Sequence, residues 1–179
     1  MRLFLAIDLP QKTKKDLSDQ ISELKLDKPD FQWVSQKNYH ITLFYYGETN
    51  NLKKIKKELK DILYDQESFH LYSAKADLFI TTKILIYLGF YREKKIEELE
   101  EKIRQKFGNF QKEVKFIPHL TLARCRIPSK QQYFVLKKKL SKLNIEIDFP
   151  VKKLILFESI LGGKFPVYKK IAEFSLLQV

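Results

Sequence analysis

Two periods alternate along this chain of 179 residues. Apolar residues at every second position, or in a short continuous run, predict strand; a spacing near 3.6 predicts helix. Residues 3–9, LFLAIDL, predict a strand, and residues 11–26 predict a helix with Leu17, Ile21 and Leu24 at helical spacing. Residues 40–46 predict a strand from their Thr, Tyr and Phe content. Over 51–63, Leu52, Ile55, Leu59 and Ile62 share one helix face and five lysines line the rest. The segment FHLYSAKADLF then reads as extended.

The pattern restarts at ILIYLGF, residues 84–90, a strand. Residues 92–107 predict a helix with Ile96, Leu99, Ile103 and Phe107 on one side, and Gly108 and Asn109 supply its stop. The strand HLTLARC follows, then a helix over roughly 130–143 with Tyr133, Leu136, Leu140 and Leu143 in phase. The segments IEIDFPVKKLILFESIL and FPVYKKIAEFSLL predict strands, with Gly162-Gly163 at the hairpin turn between them.

The order strand, helix, strand, helix, strand thus occurs twice. The second strand of each round opens with the same tetrapeptide, His-x-Thr-Leu, at His40 and at His119. The two histidines are 79 residues apart (119 − 40), and a shift of that size also carries Phe69 into the strand IEIDF. The chain therefore reads as one domain, 1–179, with an internal duplication of about 1–80 and 81–179. A duplicated unit can pair with its copy about a pseudo-twofold axis, which would bring the two histidines together across a shared cleft.

Composition narrows the class. Hydrophobic residues make up 44% and charged residues 31%, as in a globular protein, and six prolines and five glycines are too few for a disordered chain. The start MRLFLAIDLPQK lacks a signal-peptide core, and no apolar run approaches the ~20 residues that span a bilayer. The single Cys125 cannot form an intramolecular disulfide. These features predict a cytoplasmic protein without a membrane segment. The formal charge of +12 suits a polyanion such as nucleic acid, but a surface decorated with solvated lysines gives the same number.

On a strand, His40 and Thr42 share one face while Ile41 and Leu43 take the other; His119 and Thr121 divide from Leu120 and Leu122 in the same way. One histidine on a strand is usually structural. Two at equivalent places suggest chemistry. Near neutral pH one imidazole can accept a proton while the other donates one. An in-line displacement at phosphorus needs both at once, on opposite sides. Each threonine hydroxyl can donate to a phosphoryl oxygen. This scheme requires no metal, no cofactor and no nucleophilic side chain, and two histidines without a carboxylate cluster make a poor catalytic metal site. His70 lies outside both motifs and reads as an ordinary strand histidine. Strict alternation places Cys125 on the His119 face, and Gly162-Gly163 lacks the Lys-Ser/Thr of a phosphate loop.

The stretches RLFLAIDLP, Trp33-Val34, HITLFYYGE at 40–48, PHLTLAR at 118–124 and LFESIL followed by PVY carry a resemblance. The chain resembles the two-histidine (2H) phosphoesterases, above all their RNA 2′,3′-cyclic phosphodiesterase branch, also called 2′-5′ RNA ligases. The resemblance implies an α+β fold of two lobes, each an antiparallel sheet flanked by helices, with the active-site groove between them. It implies metal-independent hydrolysis of RNA 2′,3′-cyclic phosphate ends to 2′-phosphomonoesters. His40 corresponds to the proton donor and His119 to the proton acceptor. Arg124 matches an arginine that holds the phosphate or nucleotide, and Tyr45 takes a place near the terminal base. Strict alternation puts both on the wrong face, so each needs a twist or bulge. Family members often carry arginine directly after the first His-x-Thr-Leu, where this chain has Phe44. The implied partner is RNA with a cyclic phosphate end, tRNA fragments and small nucleotides included, and the implied state is a monomer. Alternatives are a 2′-5′ RNA ligase, or a phosphodiesterase of small cyclic nucleotides or 2′-5′ linkages, using the same site, and a non-catalytic RNA-binding module.

Overall fold

The computed structural model describes residues 1–108, 115–126, 129–163 and 165–178. The strands are β1 (Arg2–Asp8), β2 (Gln32–Trp33), β3 (His40–Glu48), β4 (Phe69–Ile80), β5 (Ile84–Phe90), β6 (His119–Cys125), β7 (Asp148–Val151), β8 (Lys153–Ile160) and β9 (Val167–Ser175). The helices are α1 (Gln11–Gln20), α2 (Ser22–Asp27), α3 (Leu52–Ile62), α4 (Lys94–Phe107) and α5 (Lys130–Leu140), with a 3-10 turn at Gln36–Asn38. The α+β class is borne out. The strands form one antiparallel sheet in the order β7-β4-β5-β6-β3-β1-β8-β9, with β2 paired to β6. The two expected sheets are its two halves, joined where Ile41 of β3 stands opposite Leu120 of β6.

Alternation decides which face is core. Leu3, Leu5 and Ile7 of β1, Ile41 and Leu43 of β3, and Leu120 and Leu122 of β6 are all buried. They share one cluster with Leu17, Leu24, Leu59, Leu99 and Leu136 of the helices. The helices thus cover one face of the sheet. The opposite face keeps a smaller cluster, Phe4, Ala6, Ile155 and Phe157, against which Tyr168 packs.

Several boundaries differ from the periodicity. The helix expected over 11–26 is broken at Ile21, which leaves helical dihedrals and stays buried. The helix expected to 143 ends at Leu140, and a turn follows. α4 ends at Gly108, whose backbone turns extended after a last N–H bond to the Arg104 carbonyl at 2.7 Å, and a Cβ there would collide with that carbonyl. Asn109 lies outside the described residues. The β8–β9 connection is longer than a two-residue hairpin, with Gly162 and Gly163 in its bend.

Two of the ladders, β3–β6 and β4–β7, relate residues about 79 apart. Ile41 pairs with Leu120 (120 − 41 = 79). In the β4–β7 ladder, Phe69 pairs with Val151 and Tyr72 with Asp148. The third strands are exchanged: β1 takes β8 as its partner, and β5 takes β4.

Candidate functional site

The register at Ile41–Leu120 builds the site. Antiparallel pairing carries His40 opposite Thr121 and Thr42 opposite His119. All four side chains then share the face away from the helices. The two histidines are diagonal neighbours, a relation that spans ~7–8 Å between strands.

Both imidazoles are tethered in the same way. His40 Nδ1 lies 2.7 Å from the Asn38 carbonyl, and His119 Nδ1 lies 2.8 Å from the Ile117 carbonyl. A carbonyl only accepts, so Nδ1 carries the proton in both rings. Each Nε2 is then the nitrogen left for chemistry, a base when the ring is neutral and an acid when it is charged.

Aromatic rings fix both imidazoles. His40 packs against Phe4 at 5.1 Å and edge-on to Tyr168 at 5.1 Å and 86°. His119 is edge-on to Phe79 at 5.2 Å and to Tyr87 at 5.6 Å. Burial among these apolar groups drives the His40 pKa down to about 4. The Asn38 carbonyl and the Asp8 carboxylate pull it upward, and the Lys14 and Arg124 cations push it further down. Unliganded His40 is therefore neutral at pH 7.

A network braces this histidine from behind. Asp8 stands opposite His40 in the β1–β3 ladder. Its carboxylate meets Lys14 Nζ at 2.6 Å and Lys170 Nζ at 2.9 Å. Lys14 is 2% exposed, and it also donates to the Lys37 carbonyl at 2.9 Å. That carbonyl belongs to the 3-10 turn whose last residue, Asn38, holds the His40 ring.

Two bulges re-aim the expected binding residues. In the β1–β3 ladder Ala6 faces Thr42 but Leu5 faces Phe44, so Leu43 is the extra residue. In the β5–β6 ladder Tyr87 faces Thr121 but Ile86 faces Ala123, so Leu122 is the extra residue. The bulges are themselves 79 apart (122 − 43). Each one flips the alternation beyond it. Tyr45 thus comes opposite Phe4, and Arg124 opposite Leu85, on the histidine face. Cys125 goes the other way, opposite Ile84, and is buried with its pKa raised by desolvation. Its expected place on the His119 face is thereby corrected, because strict alternation fails at the bulge. Phe44 faces the helices, T-shaped to Tyr46 at 4.9 Å.

A cleft of about 300 Å³ lies over the junction, and His40, Thr42, Tyr45, Thr121 and Arg124 all line it. His119 is outside this lining, at the next position along the junction. His70 is far from the motifs in the sheet order; its Nε2 meets Asp148 Oδ2 at 2.7 Å across the β4–β7 ladder. Among the described residues no group of three or more His, Cys, Asp or Glu is placed to hold a metal ion.

Residues 13–162 match the 2′-5′ RNA ligase superfamily. The chain belongs to this superfamily. The RNA 2′,3′-cyclic phosphodiesterase of Thermotoga maritima is 30% identical, over 97% of this chain and 94% of that protein. The protein of the same name from Methanocaldococcus jannaschii is 31% identical, over 97% of this chain and 99% of that one. The crystal structure of apo E. coli LigT superposes with a TM-score of 0.79 at 20% identity, over 99% of this chain and 98% of that chain, a likeness of fold.

Of the other residues lining the cleft in this superfamily member, Arg2 and Tyr168 act directly on the groups described above. Arg2 donates from Nε to the Tyr45 hydroxyl, and its guanidinium lies 5.5 Å from the Tyr45 ring centroid. Tyr168 comes from β9 and closes the aromatic wall around His40. Alternation in RLFLAID does place Arg2 with Phe4, but only the β1–β3 register brings that face beside His40. Tyr168 stands in the PVY stretch that carries the resemblance, but nothing in that stretch assigns it a place beside His40.

Proposed function

We propose that this protein hydrolyses 2′,3′-cyclic phosphate ends of RNA to 2′-phosphomonoesters without a metal ion. As a superfamily member it is a hydrolase acting on phosphodiester bonds. The observation that carries the finer reading is the pair of His-x-Thr motifs at one strand junction, both rings tethered at Nδ1. The proposed proton acceptor is His119: its Nε2 takes the proton of a water whose oxygen attacks phosphorus. The P–O3′ bond breaks, and His40 Nε2–H gives its proton to the leaving 3′-oxygen. The rings end with their protonation exchanged, and solvent restores them. Thr42 and Thr121 donate to the non-bridging oxygens, Arg124 neutralises the phosphate, and Tyr45, held by Arg2, stacks on the terminal base. The protein would act as a cytoplasmic monomer, with tRNA fragments and small nucleotides among its substrates.

The test is turnover of a dinucleotide ending in a 2′,3′-cyclic phosphate, in EDTA, with the product identified by NMR. A 2′-phosphate is expected. Activity lost in EDTA and restored by zinc or magnesium would overturn the proposed chemistry. A 3′-phosphate would exchange the two ester oxygens in the site. RNA binding without turnover would make the protein a binding module.

The low pKa of His40 sets a pH signature. Its donor role requires that the negative charge of the bound phosphodiester raise the pKa of the ring, so that it takes up a proton from solvent. The acidic limb of kcat/KM reports the free protein and should fall near pH 4. The acidic limb of kcat reports the complex and should lie at higher pH. Coincident limbs near pH 6.5 in both profiles would show that burial does not control this ring.

A further inference from the structure

The cleft does not end at Arg124. The same residue borders a second hollow, of about 620 Å³, at the C-terminal end of β6. Two strand partners of β6 form its flanks. On one side Gln32 of β2 pairs with Arg124; on the other, Lys83 in the β4–β5 turn precedes Ile84, the partner of Cys125. Arg126 and Gln132 complete the rim. Gln132 is held there by the capping box it forms with Ser129 at the start of α5. The hollow shares Phe31 and Arg126 with an apolar recess of about 340 Å³ that includes Val135 and Leu136.

Charge and shape together indicate an occupant. Arg124, Arg126 and Lys83 face the second hollow, against one carboxylate, Asp30. Lys83 and Arg126 are both exposed, and Phe31 is half-buried, 6.1 Å from the Trp33 ring. Cations along a groove with an aromatic ring in its lining are what a single-stranded nucleic acid requires: phosphates take the cations, and a base takes the ring. From Thr121 to Arg126 the strand path runs ~17 Å at the usual rise per residue, leaving room for nucleotides beyond the terminal one.

We propose that this groove binds the single-stranded RNA that precedes the cyclic end. Its phosphates lie on Arg126 and Lys83, and one base lies against Phe31. The chain of the RNA leaves the cleft over Arg124, which contacts both. This assignment rests on the cyclic-phosphate reading of the cleft and adds the substrate class: an oligonucleotide is favoured over a mononucleotide.

The experiment compares a tetranucleotide ending in a 2′,3′-cyclic phosphate with a cyclic mononucleotide. In the unsubstituted protein the tetranucleotide should have the lower KM. The pair Lys83→Glu and Arg126→Glu should raise that KM about 10-fold or more, with kcat unchanged, and lower the slope of log KM against log salt by about 2. Phe31→Leu should raise it several-fold. Kinetic constants for the cyclic mononucleotide should stay within about twofold for the reversed variant. Unchanged KM for the tetranucleotide, or equal losses for both substrates, would overturn the groove. If neither substrate turns over, the reading of the cleft fails, and the groove is read by anisotropy of a fluorescent tetranucleotide with a 2′-phosphate. Weaker binding by the reversed variant would still support it; equal binding by both proteins would overturn it, and capture of an acidic peptide in its place would reassign it.

Discussion

Alanine at His40 or at His119 is expected to lower kcat on a cyclic-phosphate dinucleotide by about 10²–10⁴, the range for loss of a general acid or base. The double variant should be far less than multiplicatively worse, because the two rings serve one displacement. The sites are not interchangeable. A phosphodiester whose leaving group needs no proton, such as p-nitrophenolate, should largely rescue His40→Ala and leave His119→Ala impaired. The reverse pattern would exchange donor and acceptor. Near-native turnover in either single variant would end the proposal. His70→Ala provides the control, since His70 pairs with Asp148 on β4–β7 and not at the motif junction.

Neutral His40 and bound phosphate are coupled in this scheme. The aromatic wall of Phe4, Phe157 and Tyr168 holds the ring in place and shields much of it from solvent, which keeps it uncharged until an anion arrives. A ring solvated in the free protein would be protonated more often but aimed less well. The fold thus trades readiness in the empty state for placement in the loaded one.

What was legible in the sequence depended on how local the cause was. His40, Thr42, His119 and Thr121 follow from alternation within seven residues and from a repeated tetrapeptide. Their common face is a property of any strand. Arg124 and Tyr45 required one more fact, the bulges at Leu43 and Leu122. Nothing in the residues themselves marks a bulge there, because Leu fits the regular pattern equally well; the extra residue shows only against the partner strand. Arg2, Tyr168 and Lys14 were beyond reach for the same reason. Each is brought to the site by pairing or packing with segments remote in sequence. The break at Ile21 is also tertiary, since its apolar phase continues smoothly from Leu17 to Leu24.

Asp8→Ala is expected to destabilise the protein by ~3–5 kcal/mol, the cost of leaving a buried charge without its partner. Lys14 is 2% exposed, and without Asp8 its ammonium keeps only the Lys37 carbonyl among the groups it now contacts. Lys14→Met should cost less, because Asp8 retains Lys170 at 2.9 Å. The double variant, Asp8→Ala with Lys14→Met, should recover most of the stability, since it removes both charges and fills the space with an apolar chain. Urea unfolding of the four proteins measures this cycle. A loss below ~1 kcal/mol for Asp8→Ala, or a double variant weaker than both singles, would show that the pair is no buried couple. Turnover separates bracing from stability. With Lys14 gone, the 3-10 turn loses its tie to β1, and the Asn38 carbonyl loses its support beneath His40 Nδ1. The double variant should therefore fold well and yet turn over several-fold more slowly, with KM little changed.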